Sequence, residues 1–193
     1  MQKYGLKVES PYATQEEKII RGNGDMVITE PGRYRIFCND DTYVHHNIVN
    51  SLISIVCESE ASDIEIKIKA TGKIGSGEVA DVYHQIISNN KNVSSHIESR
   101  GVAENGGRII YRSSLAAKQD STGEGKQSAK FIILDNTSEV DAEPSLDIES
   151  DTFPTTHAVS IGGVNEEKVF YAKLHGFSEE EAKSELVAGF LNC

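Results

Sequence analysis

From about Asp25 to Val164 the chain is a succession of short runs in which apolar and polar residues alternate, separated by turn-forming residues. Met26-Val-Ile is followed by the turn signal Glu30-Pro-Gly, then by Arg33-Tyr-Arg-Ile-Phe, Tyr43-Val-His-His-Asn-Ile-Val and Leu52-Ile-Ser-Ile-Val. Asp63-Ile-Glu-Ile-Lys-Ile-Lys alternates strictly, the pattern of a strand with one buried and one solvated face. Further runs lie at Gln85-Ile-Ile, Arg108-Ile-Ile-Tyr, Lys130-Phe-Ile-Ile-Leu, Ser145-Leu-Asp-Ile and His157-Ala-Val-Ser-Ile, and no helical period interrupts them. The pattern predicts an all-β body. Many short strands suit a sandwich or barrel, and equally a solenoid whose turns stack short strands into parallel sheets. Hairpin dipeptides are scarce apart from Asn23-Gly and Asn105-Gly-Gly, which leans towards the solenoid, although no literal repeat is visible. Lys118–Ser128 (KQDSTGEGKQS) reads as an exposed loop.

The two ends differ from this body. Residues 1–22 are polar and read as an arm; Thr14-Gln-Glu-Glu has the character of a first helical turn, while Tyr4, Leu6 and Val8 alternate as a strand would. After Asn165 the period becomes helical. One short helix stops at Gly176, a glycine able to take the left-handed conformation that closes a helix. Ser178 and Glu181 form a capping box for a second helix, on which Ala182, Leu186, Val187 and Phe190 share one face. The organisation expected is an arm over 1–22, a β body over 23–164 and a helical segment over 165–193.

Composition narrows the function. The formal net charge is −11, so a phosphate backbone is repelled and nucleic acid is excluded as a general partner. No apolar run reaches the length of a membrane span, and MQKYGLKVES lacks a signal-peptide core, so the expectation is a cytoplasmic protein. Cys38, Cys57 and Cys193 are odd in number, widely spaced and without a C-x-x-C, which argues for free thiols rather than a disulfide framework. Adjacent in a strand, His45 and His46 point to opposite faces and cannot easily share a metal, while His84 and His96 sit in polar strand sequence. There is no phosphate-binding G-x-x-x-x-G-K-[ST], no hydrolase triad order and no tryptophan or carboxylate cluster of the kind a polysaccharide-acting solenoid uses.

The last sixty residues resemble a known family. Ala142-Glu-Pro-Ser-Leu-Asp-Ile-Glu-Ser-Asp is similar to the A-x-P-x-L-x-I-x-x-D signature of the SufB/SufD family; Thr156-His-Ala-Val-Ser-Ile-Gly, Glu166-Glu-Lys-Val-Phe-Tyr, Gly176-Phe-Ser-Glu-Glu-Glu-Ala and Leu186-Val-Ala-Gly-Phe follow in the family's order and spacing. Similarity covers about residues 95–191 and is diffuse over 25–94. The resemblance implies a right-handed parallel β-helix followed by a short α-helical hairpin. It implies a non-catalytic scaffold subunit for iron–sulfur cluster assembly, acting with a SufC-like ABC-type ATPase as a homodimer or paired with another SufB/SufD-like subunit. A transient iron–sulfur cluster is the one cofactor it implies, with His157 as the metal-ligating candidate. The hairpin residues Phe170, Tyr171, Glu181, Ala182, Leu186 and Phe190 are the implied ATPase-docking set. Departures are specific: Ala129 falls near the position of SufB's interface cysteine, Ala158 replaces the acidic residue after the histidine, as a small residue does in SufD, and His175 replaces the arginine before the closing glycine. These leave open an alternative, a β-solenoid interaction protein that keeps ATPase docking without binding a cluster.

Overall fold

The computed structural model describes residues 15–58 and 62–192; Tyr4, Leu6, Val8, Thr14 and Cys193 lie outside them. The described residues form twelve strands and then two helices. β1 (Glu17–Arg21), β3 (Gly32–Cys38), β5 (Ser51–Cys57), β7 (Val79–Ser88), β9 (Arg108–Ala117) and β11 (Glu139–Ile148) stack in sequence order as one sheet. β2 (Gly24–Ile28), β4 (Thr42–Asn47), β6 (Ser62–Ile74), β8 (Lys91–Ala103), β10 (Gly123–Ile133) and β12 (Thr155–Gly162) stack as the other. Every pairing is parallel. Chain passing alternately between two parallel sheets is a β-solenoid, which decides between the two architectures the alternation allowed. The helices α1 (Glu166–Leu174) and α2 (Glu179–Asn192) follow.

Register explains the core. In the odd sheet Ile20, Ile36, Ile55, Ile86, Leu115 and Leu146 occupy one column across six strands. In the even sheet the corresponding column is Met26, Val44, Ile68, Ile97, Gln127 and His157. β-branched side chains fit the pleated inner faces and fill the space between the sheets; Ile36, Ile53, Ile55, Ile66, Ile68 and Ile86 are fully buried.

The corners stack as the strands do. Ser76 and Gly77, then Asn105 and Gly106, take consecutive positive φ values, each closing a tight turn through Glu78 N–H to Gly75 O (3.0 Å) and Gly107 N–H to Glu104 O (2.9 Å). Gly77 N–H also donates to Asn105 O on the next corner at 3.1 Å. Asn105-Gly, a hairpin signal in isolation, thus joins strands of different sheets.

Three stretches differ from the sequence expectation. β1 falls within residues 1–22, so the solenoid starts before the expected boundary. β10 begins at Gly123, so the expected loop Lys118–Ser128 is half strand, its inner face built from Gly125, Gln127 and Ala129 rather than large apolar residues. β8 escaped the alternation because Ser95, Ser99 and Gly101 take inner positions there. Its serines are paired inside, Ser95 with Ser88 Oγ at 2.8 Å and Ser99 donating to Tyr111 Oη at 2.9 Å. Gly101 is required: a Cβ there would lie 2.8 Å from Phe131 and 2.9 Å from Ile109.

Candidate functional site

The functional candidates gather at the late end of the solenoid. β11 and β12 are the terminal strands of their sheets. The signature residues Ala142, Pro144, Leu146 and Ile148 alternate along β11 and stand in register with Tyr111, Ser113, Leu115 and Ala117 of β9. The family spacing of two is therefore the inward face of a last strand. Proline lacks an N–H and is tolerated at such an edge. Behind this end Leu146, Val159 and Ile161 are left 37%, 38% and 43% exposed.

His157 is on β12, exposed, in register with Gln127 of β10. The column that is aliphatic from Met26 to Ile97 thus turns polar over its last two positions. Gln127 is buried and fixed: Ser113 Oγ donates to its Oε1, and its Nε2 donates to Ser145 O. Ala158 and Val159 pair with Ser128 and Ala129, and Ala129 is buried. Among the described residues no three His, Cys, Asp or Glu side chains are grouped so as to hold a metal ion. His157 is an accessible imidazole on a strand at the edge of its sheet.

The helical hairpin is built from local signals. Asn165 caps α1 by accepting from Lys168 N–H at 3.0 Å. His175 N–H and Phe177 N–H return to Ala172 O, and Gly176 takes φ +95° as the left-handed closing residue. Ser178 Oγ accepts from Glu181 N–H at 3.2 Å while the Glu181 carboxylate accepts from Ser178 N–H and hydroxyl at 2.8 Å, the expected capping box. Those donors hold the Glu181 carboxyl below the usual carboxylate range. Lys183 and Lys173 bridge Glu179 and pull its pKa to about 2.

Burial divides the docking candidates. Val169, Ala182 and Val187 are buried, so Ala182 supports the hairpin from within, and Leu186 and Phe190 are half-buried. Phe170, Tyr171, Leu174 and Phe177 project, each 45% to 68% exposed. Leu174 and Phe177 were missed in sequence; both flank the Gly176 stop, where a well-closed turn has no local need for large apolar side chains. Arg100 was missed too. It donates from Nη1 to Phe190 O at 3.0 Å and from Nη2 to Glu98 at 3.0 Å, with its guanidinium 5.8 Å from the Phe190 ring centre, tying α2 to β8.

The remaining histidines and thiols lie elsewhere. His45 is exposed beside Asp25, and His96 is partly buried between Glu65 and Glu124. His46 and His84 are buried against each other. Cys38 and Cys57 are register partners in β3 and β5, both buried and free. Hydrogen bonding from Cys57 holds the Cys38 thiol below the usual range and raises Cys57.

Comparison with known proteins fits this picture. Residues 35–190 match the model described as "SUF system FeS cluster assembly, SufBD core domain". The chain belongs to the SufBD family. Proteins named as iron-sulfur cluster assembly SufBD family members from Staphylococcus haemolyticus, Staphylococcus epidermidis and Staphylococcus aureus USA300 are each 34% identical to it over 118 residues. That match covers 61% of this chain and 25% of each relative, so the chain spans about a quarter of the length of the curated relatives it matches. Among the described residues no helix is long and apolar enough to cross a membrane.

Proposed function

We propose that this SufBD chain is a non-catalytic scaffold subunit for iron–sulfur cluster assembly in the cytoplasm, docked to a SufC-like ABC-type ATPase through its helical hairpin. The observation that carries the reading is the projecting set Phe170, Tyr171, Leu174 and Phe177, on a hairpin whose other large apolar residues turn inward. Four exposed apolar side chains around one turn are costly to leave in water and suit a partner's groove. A second SufBD-type subunit, or a second copy, pairs along β11 and β12, whose outer edges and residual apolar faces favour strand addition. The cluster is cargo. His157 supplies one imidazole to it, a good iron ligand, and the partner across the edge completes the donors.

Co-purification of the full chain with the tagged ATPase, with and without nucleotide, tests the docking. A complex is expected and is lost in Phe170→Ala/Tyr171→Ala with circular dichroism unchanged; no complex with the unsubstituted chain overturns the reading. Ala129, where a thiolate would strengthen the cluster site, favours a second reading in which docking persists without cargo. Anaerobic reconstitution with iron and sulfide separates the two. Charge-transfer absorbance that disappears in His157→Ala supports the cluster scaffold, and its absence from the unsubstituted chain supports the second reading.

A further inference from the structure

We propose that two copies of this chain join end to end in a crossed arrangement, β11 of each pairing antiparallel with β12 of the other. The inference rests on the edge pairing proposed above and specifies which strand meets which.

Both terminal strands offer backbone groups where a next strand would lie. Glu139 N–H donates to Gly107 O and Glu149 N–H to Ala117 O, so the odd-numbered residues of β11 are committed to β9. Alternate residues of a strand bond to opposite neighbours, which turns the N–H and C=O of Ala142 and Leu146 to the free edge; Pro144 between them offers its C=O alone. Gly125 N–H donates to Pro154 O, so the even-numbered residues of β12 face β10 while His157, Val159 and Ile161 face the free edge. Strand addition at these edges would also cover Leu146, Val159 and Ile161, the apolar side chains left partly exposed at this end.

A two-fold axis can close such an end in two ways. An axis normal to the sheets sets β11 against β11 and β12 against β12; an axis parallel to the strands sets β11 against β12. Charge separates them. The outer face of β11 carries Glu143 and Asp147, both exposed, and pairing like strands would crowd these carboxylates against their own copies. The outer face of β12 carries only Thr156, Ala158 and Ser160, and Lys126 and Lys130 of β10 stand in register with Thr156 and Ser160. Glu139 and Glu149 are bridged by Arg108 and Lys118 at 3.3 and 3.1 Å, whereas Glu143, Asp147, Lys126 and Lys130 make no salt bridge among the described residues.

The register follows from the chain itself. β11 ends at Ile148 and β12 begins at Thr155, on the two sides of one corner. An axis along the strands keeps the two level, so Ile148 meets Thr155 of the second copy. The ladder then continues with Leu146 on His157, Pro144 on Val159 and Ala142 on Ile161. On the outer face the same register sets Asp147 beside Thr156 and Glu143 beside Ser160. Lys126 and Lys130 of the second copy then stand two strand spacings, about 9.6 Å, from the two carboxylates, with one small side chain between, a gap the flexible lysine stem spans.

The test is sedimentation equilibrium of the full chain, with circular dichroism of every variant. Glu143→Gln/Asp147→Asn is expected to weaken self-association by about tenfold, although it lowers the net negative charge of each copy. Lys126→Glu/Lys130→Glu and Glu143→Lys/Asp147→Lys are each expected to abolish it, and the four substitutions combined in one chain to restore it to within about threefold, because opposite charges again face each other. Tighter association of Glu143→Gln/Asp147→Asn means that β11 meets β11 and overturns the crossed arrangement. Association unchanged in every variant also overturns it, while leaving edge pairing itself in place. An unsubstituted chain that stays single overturns both. Should a charge-reversed variant fail to fold, the Glu143→Gln/Asp147→Asn result decides alone.

Discussion

His84 Nε2 lies 3.0 Å from His46 Nδ1 in the interior of the solenoid, the two rings edge to face with centroids 5.1 Å apart. The hydrogen-bond sense follows from Ser51. Its one hydroxyl proton goes to Val49 O at 2.9 Å, so Ser51 Oγ accepts from His46 Nε2–H at 2.8 Å. His46 Nδ1 is then an acceptor, and His84 Nε2–H donates to it. Both rings are neutral, and among the described residues His84 Nδ1 is left as a buried lone pair without a hydrogen-bond partner.

That arrangement sets an acid limit on stability. Burial lowers the His46 pKa from 6.5 to about 4, and burial with the nearby His46 charge pushes His84 well below its ordinary value. In the unfolded chain these rings take up protons near pH 6.5; in the folded chain they do so only near or below pH 4. Across that window the unfolded state binds more protons, so stability falls as pH falls. The contribution of His46 is present in full above about pH 6.5 and is lost as pH drops through about 4, roughly 3 kcal/mol for a shift of this size. Urea midpoints measured from pH 7.5 to 4 are expected to fall steeply, and less steeply in His46→Leu/His84→Leu, which keeps the carboxylates that also titrate. Equal slopes in the two proteins would contradict the account.

Gly123 opens β10 at φ +134°, and a Cβ built on it overlaps the Val93 carbonyl oxygen on the neighbouring strand. Gly123→Ala therefore imposes both a strained backbone and a clash with backbone that cannot rotate away. A loss of at least about 2 kcal/mol is expected, read as a lower urea midpoint at unchanged slope. Gly176→Ala, strained in φ but with nothing within 4 Å of its Cβ, is the milder control.

What the sequence could disclose was what is encoded locally. Strict alternation over Asp63–Lys69 located β6 and its buried Ile64, Ile66 and Ile68. Ser178 with Glu181 located the start of α2. Inner faces made of Ser, Gly and Gln are another matter: β8 and the first half of β10 read as polar because their serines and Gln127 are satisfied by hydrogen bonds to other strands. His46 and His84 are 38 residues apart and Arg100 and Phe190 are 90 apart. Their contacts depend on corner lengths and register, which no single-residue pattern carries. His157 was legible only through the resemblance; its position on an edge strand came from the topology.

The β12 edge leads to a prediction about association. Val159 and Ile161 share the inward side of a strand that, among the described residues, has no further neighbour in its sheet, and both remain more than a third exposed. Lysines at such positions discourage edge pairing. If β12 pairs as proposed, the unsubstituted protein is expected to self-associate and Val159→Lys/Ile161→Lys to sediment as a single chain, while its unfolding free energy changes by no more than about 1 kcal/mol, as for exposed sites. Sedimentation indistinguishable from the parent's would remove β12 from the interface.

Arg100 supplies the last prediction. Its side chain is 16% exposed, spans from Glu98 to the Phe190 carbonyl, and is the polar tie between α2 and the β8 strand among the hydrogen bonds of the described residues. A hydrogen bond from a charged donor contributes about 1.5–3 kcal/mol, and here it acts on one element rather than on the whole fold. Arg100→Ala is expected to speed amide exchange across Glu179–Asn192 by about tenfold or more, the factor that about 1.4 kcal/mol implies, with exchange in β5 and β7 unchanged. Arg100→Lys keeps the charge but lacks the planar fork needed to reach Glu98 and Phe190 O together, so it restores only part of the protection. Exchange that rises equally in α2 and in the central strands would mean that Arg100 supports the solenoid as a whole rather than anchoring the hairpin.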